Sequence, residues 1–436
     1  MSNPYGLTFA SALIALVLPA TGHTAYAQVG QDAPVAAGDD GIGTVVTQQG
    51  TQFDIEGGSF SRDRTNQFHS FESFSLGASE SANFIVPDAV QNVVAKVNGS
   101  APSIIDGLVQ ITGQGSDPNL YLMNPSGILF GPNASLNLPA SFTATTASEL
   151  GFEQGWFTGS ADAISALSGQ PLGDFRIESG GFVINQAALS VRAEEAITLI
   201  GNSVTSVGEL SAPSGTITLA AAPANTLVKL RQPGGLLTLE FESLGAVGEI
   251  PNEAANQIAP TEITVSDALS LLTGSEQTQA DSLIVSADGT ATLAGSLSAS
   301  GLITTNNESE GGSISLVGSM VALSEATISA DGTTGGGNIR IGGDYRGDRT
   351  LPPSQTTHID SGTAISADAI NSGNGGQVVV WGTDTTQYLG GISARGGALS
   401  GNGGFVEVSG KKNLVFEGVV DTRAENGEIG SLLIDP

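Results

Sequence analysis

Apolar residues in this chain come in short runs, and nearly every run is closed by a turn signal. Thr44-Val45-Val46, Phe53-Asp54-Ile55, then Phe71, Phe74 and Leu76, then Phe84-Ile85-Val86 are separated by Glu56-Gly57-Gly58, Gly77-Ala78 and Pro87-Asp88. Runs this short, punctuated this often, predict strands rather than helices. Between Val90 and Val97 a helical reading competes, and Gly99 and Pro102 end it quickly. Leu150 to Leu172 breaks the rhythm. It reads as an excursion packed on the main body, with Phe152, Trp156 and Phe157 as covering residues and a helical turn within Ala161 to Leu167.

Farther along, Ile197-Thr198-Leu199, Ile217-Thr218-Leu219 and Leu237-Thr238-Leu239 recur at one fixed interval, which Ile263-Thr264-Val265 and Leu283-Ile284-Val285 repeat. In each triplet the outer residues project to one face, as period-two geometry demands. A fixed period of this length means stacked coils. Stacking at about 4.8 Å sets each apolar residue over its equivalent. The expected fold is all-β, a parallel β-helix.

From about Gly301 the units lengthen and become glycine-rich. Ile328-Ser329-Ala330-Asp331 leads through Gly335-Gly336-Gly337 to Ile339-Arg340-Ile341. Ile365 to Asp368 leads likewise to Val378-Val379-Val380, and Ile392 to Arg395 leads to Phe405-Val406-Glu407-Val408. Val420 to Ile434 is a decayed fourth copy. Asp344 to Thr357, with Pro352-Pro353, reads as a polar loop in a half whose loops project from one side. The last strand, Leu433-Ile434, has no polar capping segment after it, which solenoid ends normally need. Either an oligomer or an unseen segment covers that coil or the product is truncated, and truncation is slightly favoured.

The stretch that organises the chain is Leu122 to Leu136. Asn124-Pro125-Ser126-Gly127 puts Pro where its ring already fixes φ as the turn requires, and Gly where positive φ costs nothing. Ile128-Leu129-Phe130 follows as an apolar run, and Gly131-Pro132-Asn133 turns the chain again. The literal residues of this stretch, followed by Ser141 to Ala147, closely resemble the haemagglutination-activity (two-partner secretion, TPS) domain of filamentous-haemagglutinin-like exoproteins. Phe68 to Phe74, Ser81 to Phe84, Ile104 to Leu108 and Asn119 to Met123 fit the same family in the expected order, and the likeness spans roughly residues 36 to 222. It implies a right-handed helix and ties Asn124, Pro125, Ser126 and Gly127 to secretion. Asp117-Pro118-Asn119-Leu120 resembles a second, earlier family motif but lies too close to the first to be its equivalent.

Composition sharpens this picture. Glycine numbers 60 while aromatic residues make up 5% and charged residues 13%, which suits regular β structure with frequent turns. The net charge of −29 comes from 43 acidic residues against only 14 Lys and Arg. Phosphate backbones and anionic lipid heads both need cationic neutralisation, so nucleic acid and membrane surfaces are poor partners. With no cysteine there are no disulfides, which fits a chain that stays unlinked across an oxidising compartment. Residues 7 to 18 are apolar but too short to span a bilayer. Ala25 and Ala27 supply the small residues for cleavage before Gln28, so the segment reads as a secretory signal peptide, although Ser2 to Gly6 lacks a basic residue.

Catalytic chemistry is sparse. There is no Gly-x-Ser-x-Gly elbow, Walker motif or His-Glu-x-x-His. The glycine runs precede strands, not helices, so they are turns rather than phosphate cradles. Of three histidines, His23 leaves with the signal, His69 reads as a surface or turn residue, and His358 lies two residues from Asp360. Asp344, Asp348 and Asp360 are the carboxylates a polysaccharide-cleaving β-helix would need to converge in a groove. No catalytic residue, metal site or cofactor is assigned.

The expected organisation is a signal peptide (1–27), a linker (28–35), the secretion domain (36–222), a β-helix continuation that keeps the shorter repeat interval (223–300), and glycine-rich coils (301–436). The resemblance implies a secreted or surface-exposed, adhesin-like exoprotein of a diderm bacterium. Its partners would be the Sec translocon, an outer-membrane β-barrel transporter with periplasmic POTRA domains, and surface glycans or receptors. The alternative is an extracellular glycan-binding or polysaccharide-cleaving β-helix.

Overall fold

The computed structural model describes residues 35–113, 117–231, 237–244, 283–285, 291–293, 295–348 and 350–435. Strands dominate, and most pair in parallel with the equivalent strand one coil away. One long sheet runs through 66–74, 92–97, 119–123, 142–145, 196–201, 216–221, 313–318, 338–341, 377–382, 405–410 and 431–435. A second runs from 103–105 through 128–130, 182–185, 203–206, 296–299, 320–323, 356–359 and 385–388 to 413–416. The third face is built first by 52–57, 81–86, 108–113 and 135–137, and then by a separate sheet from 188–190 to 419–421. This is a parallel β-helix.

Register explains the apolar pattern. Val93, Leu120, Phe142, Ile197, Ile217, Ile314, Ile339, Val378 and Val406 stack one above another inside the long sheet. Two residues on, Ala95, Leu122, Ala144, Leu199, Leu219, Leu316, Ile341, Val380 and Val408 form a second ladder, and every member of both is fully buried. Parallel coils put like residues over like, so a single triplet can repeat without any fresh solution to packing.

The expectation of one fixed interval is corrected by this register. It holds between Ile197 and Ile217, but the coil above Ile217 begins at Ile314. Thr238–Ser243 instead pairs antiparallel with Thr226–Arg231, and Leu283–Val285 pairs antiparallel with Ala291–Leu293. So the described part of 223–293 is not solenoid, and Ile263 to Val265 lies outside the described residues. Val90 to Val97 resolves as strand Asn92–Val97.

Three long departures all leave at the corner between the long sheet and the second sheet, after Thr145, Ala221 and Ile341. The first and second form an antiparallel sheet, 155–157, 149–152, 174–177, 226–231 and 238–243, and the first includes a 3-10 turn at Ala161–Ala166. These pieces lie on the outer face of the long sheet. Phe152, Phe157, Ile164, Leu167, Phe175, Val228 and Leu239 bury against the outward Phe68, Val94, Met123, Ile200, Ala220 and Val317, making a second core. The 342–355 loop joins this cover rather than projecting, because Leu351 is buried in the same core and the Thr350 carbonyl accepts from the Leu239 N–H.

At the other end of the described chain, 35–60 closes the first coil. Val35–Ala37 and Ser59–Phe60 pair antiparallel with Asn66–Phe74, and the hairpin 44–49/52–57 adds Phe53 and Ile55 to an aromatic plug with Phe71, Phe74 and Phe84.

Candidate functional site

Asn124 to Gly127 make the corner between strand Asn119–Met123 of the long sheet and strand Ile128–Phe130 of the second. The Gly127 N–H donates to the Asn124 carbonyl (3.0 Å), closing a four-residue turn, and the Ser126 N–H donates to Asn124 Oδ1 (2.9 Å). Asn124 is fully buried. Its Nδ2 donates downward to the Ala101 carbonyl (3.1 Å) and Ser103 Oγ (3.0 Å), while its backbone N–H donates upward to the Thr145 carbonyl (3.0 Å). One residue therefore fixes the turn internally and bolts it to the coils on both sides.

Above the turn, Ser179 Oγ donates to the Pro125 carbonyl, and the Phe182 ring lies over Gly127. Gly127 has φ +126°, and a Cβ there would sit 2.9 Å from the ring, so glycine is required on two grounds. The motif is thus a corner buried at Asn124 and Gly127, with Pro125 and Ser126 half-buried. A buried asparagine satisfied on both amide atoms is worth keeping because any shorter side chain leaves the surrounding groups unpaired.

The partners of Asn124 come from other coils and were not visible in the motif itself. A related signal was available: Asn66, Asn92 and Asn119 begin successive strands, and their side chains form a ladder with bonds of 2.9 Å from Asn92 to Asn66 and from Asn119 to Asn92. Asn119 thereby begins a coil, while Asp117 is exposed and pairs with Arg192. The signal-cleavage residues Ala25, Ala27 and Gln28 lie outside the described residues.

The acidic candidates lie on two elements: Asp344 and Asp348 flank the 3-10 turn Tyr345–Gly347, and Asp360 follows strand Thr356–Ile359. Asp344 pairs with the buried Arg340 (3.1 Å) beneath the loop that covers the long sheet. Asp360 sits at a corner after strand Thr356–Ile359, where it accepts from Ser324 Oγ, Thr363 Oγ1 and the N–H groups of Glu325 and Gly362. Burial works against its charge, but these donors hold its carboxyl below the usual carboxylate range. A carboxylate so occupied braces a turn. Asp360→Ala is expected to lower stability by about 1–2 kcal/mol, read as a shift in denaturant midpoint. His358 faces outward and bonds Gln387 (3.0 Å), not Asp360. His69, expected at the surface, is fully buried in the first coil. Arg176 lies 4.5 Å over the Trp156 ring. Among the described residues no cluster of His, Asp and Glu is arranged to hold a metal. A groove of about 540 Å³ runs along the glycine corner past Asn338, Asn374, Gln377, Asn402 and Phe405.

The TPS secretion domain family model matches residues 34–293, more than half of the chain and inclusive of the whole corner just described. The chain belongs to the TPS secretion domain family. It is similar to the HMW1 secretion domain from Haemophilus influenzae, at 20% identity over 91% of this chain and 100% of that one, with a TM-score of 0.49. It is also similar to the filamentous hemagglutinin secretion domain, at 12% identity over 92% and 100% of the two chains, with a TM-score of 0.35. No curated protein matches it. A TPS secretion domain marks its bearer as a substrate of two-partner secretion.

Proposed function

We propose that this chain is an adhesin-like exoprotein whose N-terminal half is recognised by a dedicated outer-membrane transporter through that transporter's periplasmic POTRA domains. Support comes from the family match over residues 34–293 together with a solenoid in which each coil adds to a finished edge. Coil-by-coil growth lets folding outside the cell draw the chain outward without nucleotide hydrolysis. In this reading residues 1–27 direct Sec export and are cleaved after Ala27, and the mature protein is extracellular or surface-held. The carrying observation is the Asn124 to Gly127 corner, which joins three coils and which this reading takes as the secretion motif.

The test is export of the full chain with and without a co-expressed cognate transporter. Appearance in the medium only when the transporter is present is the expected result. Equal export without it overturns the reading. A second reading, glycan binding by the C-terminal coils, is favoured by the amide-lined groove beside Phe405. Retention of the exported protein on a neutral-glycan column, lost in Phe405→Ala, checks it.

A further inference from the structure

The two interior ladders of the long sheet are apolar in every coil but one. In the first coil their positions are occupied by Gln67, in register with Val93, and His69, in register with Ala95. Both side chains are buried, at 1% and 0% exposure. Gln67 Nε2 donates to the Gly57 carbonyl (2.8 Å), but its Oε1 has no partner, and neither ring nitrogen of His69 has one. The His69 ring lies against Gly58, 5.6 Å from the Phe84 ring and 6.3 Å from that of Phe71. Three unpaired polar atoms therefore meet where the segment 35–60 seats on the solenoid. Elsewhere along these two ladders, among the described residues, the coils meet through aliphatic or aromatic groups.

We propose that residues 35–60 form an acid-releasable cap and that His69 is its sensing group. Protonating the ring in place would bury a cation with no acceptor for either N–H, whereas lifting the cap gives both nitrogens to water. Among the described residues no charged group faces the ring to offset this. On its own strand Glu72 is exposed; Asp54 bonds Gln52 and Asn83 on the outer face, and Glu56 is exposed on that hairpin. Lys96, from the next coil, reaches outward to the Thr158 carbonyl, Asp40 bonds Ser70, Ile42 and Asn98 on the covered side, and strand Ser81–Val86 carries no charged residue.

Burial alone lowers the pKa of this ring from 6.5 to about 4. The open state thus takes up a proton that the closed state refuses. Closure is fully favoured above about pH 6.5 and weakens as pH falls toward 4. Between pH 7 and pH 5 the opening constant should rise by roughly 25-fold. An acid-weakened cap would leave the first coil easier to unravel in acid and more firmly closed in neutral surroundings.

Hydrogen exchange on the full chain, corrected for the intrinsic pH dependence, tests this. Amides of Gln52–Gly57 should lose about 25-fold in protection from pH 7 to pH 5, while those of Gln377–Gly382 should not. In His69→Met and in His69→Gln the cap amides should lose that pH response even if their basal protection differs. The same slope in both variants overturns the proposal. So does parallel loss of protection in the distant coil, or a His69 ring that titrates near 6.5 in the folded chain.

Discussion

Gly376→Ala is expected to destabilise the β-helix by about 3 kcal/mol or more, and Gly391→Ala to change it by less than about 0.5 kcal/mol. Neither glycine has a positive φ, and their surroundings differ. A Cβ on Gly376 would fall on the Gly337 carbonyl of the coil below, and one on Gly404 would fall on the Gly376 carbonyl in turn. At this corner the coils touch backbone to backbone, so nothing flexible can yield. A Cβ on Gly391, which begins strand Gly391–Ser393, meets nothing within 4 Å. Denaturant titration of both variants separates glycine needed for close approach from glycine merely tolerated. Comparable losses in the two would mean that the corner relaxes and the glycine ladder has another origin.

Asn124→Ala should cost about 2–4 kcal/mol, because it strips partners from the Ala101 carbonyl, Ser103 Oγ and the Ser126 N–H at a fully buried position. A secretion defect in this variant has two physical origins, lost recognition or a lost corner. Ser103→Ala distinguishes them. Ser103 lies outside the motif but shares the buried bond to Asn124, so it should reproduce part of the stability loss, about 1 kcal/mol. If its export falls in proportion, the motif acts by holding coils together. Normal export from Ser103→Ala, with export abolished in Asn124→Ala, would assign the motif to recognition.

The fold class was legible because a parallel solenoid repeats its interior on one strand after another. Ile197 and Leu199, set over Ile217 and Leu219, announce it in plain text. The path of the chain was not legible, since Leu237-Thr238-Leu239 has the same apolar-Thr-apolar pattern and yet leads into an antiparallel hairpin outside the helix. Three residues cannot say whether the face they meet is another coil or a covering sheet. The candidate site was half visible. Turn chemistry marked Asn124 to Gly127, but the bonds that bury Asn124 reach to Ala101, Ser103 and Thr145, and those offsets depend on coil lengths that vary. His69 was misjudged for a related reason: its place in an interior ladder becomes apparent only once its register with Ala95 is known.

All three long departures share one corner, and this decouples chain length from coil alignment. Ile314 stacks on Ile217 as faithfully as Ile217 stacks on Ile197, although a far longer stretch intervenes. Loop closure costs only about 0.6 kcal/mol per doubling of length. That corner is consequently a socket into which sequence can be spliced, by evolution or by an engineer, and displayed over the long sheet while the long and second sheets both run on unbroken.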